Sequence, residues 1–251
     1  MEKQGLLSKY LKIYKFHSAY GSKEASKRVL ATIKELDLFD YKYKVNTRTI
    51  KVIPLAKMEY MPYWPVYTSV ALEMIRIAHN YYISAVRYSD LKRKTVFVDF
   101  GSGACKAPII AALTRKFDAC IGVEIDESLH ELAQINLRKI DIGKSAISIH
   151  GNAEENDSVK KLVDFCLTND IQPKAATLFV FNKNSYGPST LERNLKLLQK
   201  HFDSIIYLYQ NPIHSSKLTS MGFEQFASDS HDSTVNKNYK FRLFLKHKYN
   251  K

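Results

Sequence analysis

Two acidic residues and a short glycine turn stand at a spacing that predicts a nucleotide site. Asp99 lies near the end of an apolar run, the turn Gly101-Ser102-Gly103 follows at once, and Glu124 ends the next apolar run. Glycines at the carboxyl end of a first parallel strand let the chain turn sharply against a ligand. An acid at the tip of the second strand can accept hydrogen bonds from both hydroxyls of a ribose. The separation of the two acids fits one crossover helix.

The residues after this turn distinguish two classes of cofactor. A loop that binds the pyrophosphate of a dinucleotide carries a third glycine, and this chain has Cys105 and Lys106 in that region. The Asp99 carboxylate would repel a pyrophosphate, whereas it suits a cofactor that carries an ammonium group. The turn therefore disfavours a nicotinamide-dependent oxidoreductase. A glycine turn that binds no ligand is the other alternative, and the pairing of Asp99 with Glu124 disfavours it.

The stretch Phe97 to Gly103 resembles the first motif of the class I S-adenosylmethionine (SAM)-dependent methyltransferases, hydrophobic-hydrophobic-D-x-G-x-G. The pattern E-x-x-x-x-L-x-x-x-A-x-x-N that starts at Glu124 resembles the same class. This resemblance implies SAM as the cofactor. It implies that the cofactor is bound by Asp99, Gly101, Ser102, Gly103 and Glu124.

Two further segments resemble cofactor-binding parts of this class. The family usually has G-D-A after the third strand, where this chain has Gly151-Asn152-Ala153. Asn152 can accept the hydrogen bond of the adenine amino group through its side-chain oxygen, so the resemblance places Asn152 and Ala153 at the adenine. Tyr60-Met61-Pro62 resembles a Y-x-P segment that covers the cofactor or shapes the acceptor pocket, which implies a cofactor contact for Tyr60. An aromatic plug that seals the sheet edge is an equal alternative for this segment.

The segment Phe181 to Pro188 resembles the acceptor loops of two groups of methyltransferases. The non-SET histone-lysine methyltransferases carry V-N-N-F-A-F-G-P, which aligns with it without a gap. Small bacterial methyltransferases carry Y-N-P-F and a later Y-V-N-P, which resembles Tyr209 to Pro212. Both resemblances imply that Asn182 lies at the chemistry, where this loop meets both the cofactor and the acceptor, so Asn182 is predicted to bind the cofactor and to take part in catalysis. Tyr186 is the second catalytic candidate. The candidates for a base that deprotonates the acceptor are Tyr186, Tyr67 and Glu154.

The apolar runs predict an α/β fold with a doubly wound, mostly parallel seven-stranded sheet that ends in an antiparallel hairpin. We expect a helical N-terminal extension over residues 1–58 and the class I methyltransferase domain over residues 59–251. Helices are predicted from Ser69 to Tyr82, Ala107 to Leu113, Asp126 to Ile140, Ser158 to Leu167 and Thr190 to His201. The predicted strands are Thr95 to Phe100, Ala119 to Val123, Ala146 to His150, Ala176 to Phe181, Ser204 to Tyr209, Phe223 to Ala227 and Lys240 to Leu245.

The composition of this 251-residue chain bears on its cellular location and on metal binding. No apolar run is long enough to span a bilayer, and the N-terminus lacks the apolar core of a signal peptide, so we expect a cytoplasmic protein without a membrane contact. The three cysteines have no metal-ligand spacing, and we expect no metal site. Cys105 is interpreted as a small residue in a tight turn, with a nucleophile as the less favoured reading. The sequence carries no signal for an oligomeric state.

The favoured hypothesis is transfer of a methyl group to a protein side chain, with lysine as the acceptor. The net charge of +13 also suits a polyanion, so methylation of RNA, or of a small molecule, is the close alternative. A different class is a non-catalytic scaffold with this fold. That hypothesis rests on three departures from the family pattern, at Cys105, Asn152 and Lys183-Asn184.

Overall fold

A central seven-stranded sheet organises the computed structural model. The model describes residues 35, 38–48, 65–87, 93–140, 142, 145–183, 187–233 and 236–247. The strand order is β3-β2-β1-β4-β5-β7-β6, with β1 to β5 parallel and β7 antiparallel to both β5 and β6. The strands are β1 (Thr95–Phe100), β2 (Ala119–Glu124), β3 (Ala146–His150), β4 (Thr177–Asn182), β5 (Ser204–Gln210), β6 (Glu224–Ser233) and β7 (Asn236–His247).

Seven α-helices are present in the described part of the chain, and most of them alternate with the strands. They are α1 (Leu38–Tyr43), α2 (Thr68–Arg87), α3 (Lys106–Leu113), α4 (Glu127–Lys139), α5 (Asn156–Thr168), α6 (Pro188–His201) and α7 (Ser215–Ser220). None of these helices is long and apolar enough to cross a membrane. The order of elements and the mixed sheet confirm the predicted α/β fold with its C-terminal antiparallel hairpin.

The structure differs from the sequence-based elements mainly near the C-terminus. The hairpin strands β6 and β7 are longer than predicted, and the short helix α7 was not predicted. The antiparallel ladder extends the hairpin strands beyond their apolar residues, because backbone hydrogen bonds continue where the side chains are polar. In α7 only Ser215 and Leu218 are buried, so no apolar stripe marks it in the sequence.

Two apolar cores lie on the two faces of the sheet. The first core joins α2 and α3 to side chains such as Phe97, Phe181 and Leu208. The second joins α5 and α6 to side chains such as Val98 and Tyr207. Successive residues of a strand point to opposite faces of the sheet. The core in which each strand residue lies therefore shows which face the last residues of that strand point to.

The described N-terminal segment 38–48 packs on the first core. Phe39 and Val45 are buried among side chains of that core. The buried Lys106 on α3 donates from Nζ to the carbonyl oxygen of Glu35 at 2.8 Å, and its Nζ lies 5.0 Å from the Phe39 ring centroid. The division predicted at residue 58 lies outside the described residues and stays a prediction.

Gly122 on β2 is required by the close approach of the glycine turn. A Cβ at this position would lie 2.4 Å from Cys105 Sγ and 2.6 Å from Ser102 Oγ. Asp99 pairs with Gly122 in the parallel ladder, so the crowded point lies beside the first acid of the site.

We expect Gly122→Ala to lower the free energy of unfolding by roughly 1–3 kcal/mol, because the added methyl group forces the turn away from β2. Gly187→Ala is the control, since a Cβ there meets no atom of the described residues within 4 Å. That variant replaces an N-cap glycine and should lose under about 1 kcal/mol. Urea unfolding of the two variants tests the difference, and equal losses would contradict this role of Gly122.

Candidate active site

The glycine turn is held against β2 by a compact set of hydrogen bonds. The backbone N–H groups of Gly101 and Ser102 both donate to the carbonyl oxygen of Val123, at 2.8 and 3.1 Å. The N–H of Gly103 donates to Glu124 Oε2 at 2.6 Å. Gly101 and Gly103 have φ angles of 77° and 52°, in the left-handed region that glycine adopts without strain. The turn and the acid that the sequence singled out are thus in direct contact.

Glu124 is a buried carboxylate at the tip of β2. Its second oxygen, Oε1, accepts from the N–H of Asp126 at 2.9 Å. Burial raises the pKa of Glu124, and the backbone hydrogen bonds, including those from Asp126 and Gly103, oppose that rise. Each carboxylate oxygen can accept more than one hydrogen bond, so Glu124 keeps capacity for ribose hydroxyls while it holds the turn.

Asp99 lies near the end of β1 and is also buried, with 7% of its surface exposed. Burial, followed by the negative charge of Glu124, raises the pKa of Asp99 well above its ordinary value, and Lys183 acts in the opposite direction. Among the residues that the structure describes, no hydrogen-bond donor contacts the Asp99 carboxylate. A cationic ligand next to Asp99 would lower this pKa and so act against both causes of the rise.

The loop after β3 lies next to Glu124. The N–H of Gly151 donates to the Glu124 carbonyl oxygen at 3.0 Å, and Glu124 pairs with His150 in the ladder. Asn152 Oδ1 accepts from the N–H of Glu154 at 3.0 Å, which leaves one lone pair of that oxygen for an adenine amino group. Ala153 is buried beside it. The structure thus brings the predicted adenine loop and the predicted ribose acid together.

Asn182 ends β4 and addresses the second face of the sheet. Its side chain is 1% exposed, and Nδ2 donates to the Tyr207 hydroxyl oxygen at 2.6 Å. Burial raises the pKa of Tyr207, so the hydroxyl stays protonated, and the charge of Asp99 contributes to that rise. The hydrogen bond fixes the orientation of the Asn182 amide, a constraint that the loop motif alone did not reveal.

Lys183 is a residue whose role the sequence did not predict, although it was noted as a departure from the family pattern. Its Nζ donates to the carbonyl oxygen of Pro65 at 3.2 Å, just before α2. Burial, and then the charge of Lys106, lower the pKa of Lys183 to about 7, while Asp99 raises it. Lys183 is therefore an amine that changes charge near neutral pH, and its charge acts on that of Asp99.

The remaining predicted residues divide into three groups. Tyr60 and Tyr186 lie outside the described residues, so their roles stay predictions. Tyr67 is buried directly before α2. The Glu154 carboxylate accepts from Thr190 Oγ1 at 2.6 Å and pairs with Arg193 at 2.9 Å, so both of its oxygens are directed to side chains of α6.

Cys105 has the geometry of a turn residue. It is fully buried with a φ angle of 64°, in the region where the family has glycine. Burial raises the pKa of its thiol to about 12, so it carries no nucleophilic thiolate. The interpretation of Cys105 as a small turn residue agrees with this environment.

The hydrogen-bonding groups at this edge of the sheet fit SAM. Two buried carboxylates, Asp99 and Glu124, offer acceptors for a ligand with an ammonium group and a ribose, and the backbone of the turn carries no side chain at Gly101 and Gly103. No group of three or more His, Cys, Asp or Glu side chains suited to a metal ion occurs in the described ranges. The individual roles of Asp99, Gly101, Ser102, Gly103, Glu124, Asn152, Ala153 and Asn182 stay predictions.

We expect Asp99→Asn to stabilise the ligand-free protein at neutral pH. The folded pKa of Asp99 is raised, so the folded state binds more protons than the unfolded state, and wild-type stability falls as the pH rises from the ordinary value of 3.8 through the folded pKa. The uncharged variant should lose that part of the pH dependence.

Urea unfolding at a series of pH values measures this effect. Asp157→Asn, on the exposed start of α5, is the control, since that carboxylate is exposed and pairs with the exposed Lys161. If Asp99→Asn followed the same pH dependence as the wild type, Asp99 would not be a buried carboxylate of the kind described.

Solved structures with the same fold include methyltransferases from distant organisms. A human methyltransferase 10 domain containing protein has a TM-score of 0.52 at 13% identity, over 90% of this chain and 99% of that chain. A Pyrococcus horikoshii protein that was proposed to be an RNA methyltransferase has a TM-score of 0.50 at 14% identity, over 86% and 98%. At these identities the likeness shows the fold alone.

A tRNA methyltransferase from B. subtilis has a TM-score of 0.47 at 13% identity, over 70% of this chain, and the chain spans 65% of its length. None of the curated proteins matches the sequence.

The sequence also matches the model of a protein family, and the matched residues include the candidate site. The model of the family described as "Histone methylation protein DOT1" matches residues 74–210, more than half of the chain. The match spans β1 to β5 and every described residue of the candidate site between Asp99 and Asn182. The chain therefore belongs to the family of the histone methylation protein DOT1, within the class I SAM-dependent methyltransferases.

Proposed function

We propose that the protein transfers a methyl group from SAM to the side-chain amine of a lysine in a protein substrate. The observation that carries this proposal is the acceptor loop. Asn182 and Lys183 lie at the carboxyl end of β4, where ligands of such sheets bind, and the DOT1 family match includes them.

Methyl transfer is a direct displacement that needs no covalent enzyme intermediate. The side chains of the site therefore have to hold the methyl donor and the acceptor amine in line. When it is bound, SAM supplies a methyl group on a sulfonium. Asp99 and Glu124 hold the cationic and ribose parts of that ligand, and Gly101 to Gly103 keep the backbone close to it. Asn182, oriented by Tyr207, presents a fixed amide at the same edge.

The acceptor amine must be neutral when it attacks. Lys106 and Lys183 are both largely withdrawn from solvent near this edge, and the positive charge of Lys106 already lowers the pKa of Lys183. The positive charge of Lys106 also disfavours an incoming ammonium relative to a neutral amine. Lys183, with a pKa of about 7, is a group suited to take the proton of the acceptor at neutral pH.

The acceptor class can be tested with labelled SAM. We expect purified protein to transfer the methyl label to core histones and not to histones whose lysines have been acetylated beforehand. Mass spectrometry should then locate the label on lysine side chains. Asn182→Ala should reduce transfer at least tenfold while the protein stays folded, and Gln199→Ala, on the half-buried face of α6, should not.

An RNA arm of the same experiment tests the alternative substrate. The net charge of +13 favours polyanions, and two of the proteins with a similar fold carry RNA methyltransferase names. If total RNA received the label and the histones received none, the lysine proposal would be overturned. Absence of label in every acceptor, from a protein that binds SAM, would favour the scaffold hypothesis.

A pH profile tests the proton-accepting role of Lys183. We expect kcat/KM of the wild type to rise as the pH increases through about 7, because only the neutral amine can take a proton. Lys183→Arg keeps a permanent charge and should remove this rise. Lys161→Arg, an exposed lysine on α5, is the control. If the Lys183→Arg variant kept the wild-type profile, the base would be another group.

A further inference from the structure

A buried glutamine at the carboxyl end of β5 has no hydrogen-bond partner for its side chain among the described residues. Gln210 is 0% exposed, and within the described part of the chain neither its Nε2 nor its Oε1 contacts a donor or acceptor. Buried amide groups are almost always hydrogen-bonded, so an orphaned pair of polar atoms calls for a ligand that satisfies them.

The position of Gln210 connects it to the candidate site. Phe181 and Leu208 pair in the ladder and lie on the first face of the sheet, the face that Asp99 also addresses. Gln210 follows Leu208 by two residues on β5 and therefore returns to that face. Lys183 comes directly after the last residue of β4 at the same edge, where the charge of Asp99 acts on it. The strand residues that precede this edge on the first face are apolar. The edge itself carries the acid Asp99, the amine Lys183 and the amide Gln210.

The chain turns sharply just beyond Gln210. Asn211 has a φ angle of 51°, and its N–H donates to the Lys240 carbonyl oxygen at 2.8 Å. Ile213 follows and is 71% exposed. The turn ends β5 directly after Gln210, whose side chain is fully buried at this edge.

We propose that Gln210 positions the methyl acceptor, with its amide oxygen accepting an N–H of the acceptor amine on the side of the site that faces Lys183. This inference rests on the proposed lysine substrate. A neutral amine has two N–H donors and one lone pair, so a hydrogen bond to Gln210 leaves the lone pair free for attack. The amide nitrogen of Gln210 can donate to a carbonyl oxygen of the same substrate.

The test compares Gln210→Met, a substitution of similar volume without polar atoms, with the wild type. Gln199→Met on α6 is the matched control. We expect Gln210→Met to have an unchanged or higher free energy of unfolding, because the buried orphan groups are removed. Its affinity for S-adenosylhomocysteine (SAH), measured by calorimetry, should stay within twofold of the wild type. Its KM for core histones should rise at least tenfold with a smaller change in kcat.

Two results would overturn the inference. Lower stability of Gln210→Met with an unchanged KM would show that the glutamine serves packing, and weaker SAH binding would place it in the cofactor site. Failure of the proposed function is distinguishable from both, since it would appear as a wild-type protein that binds SAH and methylates no histone lysine.

Discussion

The hydrogen bond from the Gly103 N–H to Glu124 is the interaction on which the candidate site depends. It joins the turn after β1 to the tip of β2, and the same carboxylate accepts the N–H of Asp126, where α4 begins. One buried acid therefore fixes the glycine turn, the end of a strand and the start of a helix. A charge-assisted hydrogen bond of this kind contributes about 1.5–3 kcal/mol, enough to hold a short turn in one conformation.

The electrostatics of the edge follow from this arrangement. Two acids, Asp99 and Glu124, are buried close enough for one charge to act on the other, and two lysines, Lys106 and Lys183, approach from neighbouring elements. Burial disfavours every one of these charges, so the pKa values of the acids rise and that of Lys183 falls. Such opposed shifts among neighbouring groups are typical of a functional site, and here they suit a cationic cofactor.

Much of this architecture could be predicted from the sequence, because its signals are local. The apolar runs before Gly101 and at Glu124 predicted strands within a residue of their observed ends, and the glycine turn indicated the edge of the sheet at which the candidate site lies. The features that could not be predicted depend on contacts between distant segments. They include the Asn182 to Tyr207 hydrogen bond, the approach of Lys183 to Pro65 and the orphaned amide of Gln210. Helix α7 was not predicted either, because too few of its residues are buried to give a periodic apolar pattern.

The most direct test of this account is calorimetric titration of the protein with SAH, alongside Glu124→Ala. Glu131→Ala, an exposed acid on α4, is the control. The account predicts micromolar binding by the wild type and the control, and no measurable binding by Glu124→Ala, because that variant loses both the ribose acceptor and the bond that holds the turn. Wild-type affinity in a folded Glu124→Ala protein would contradict it.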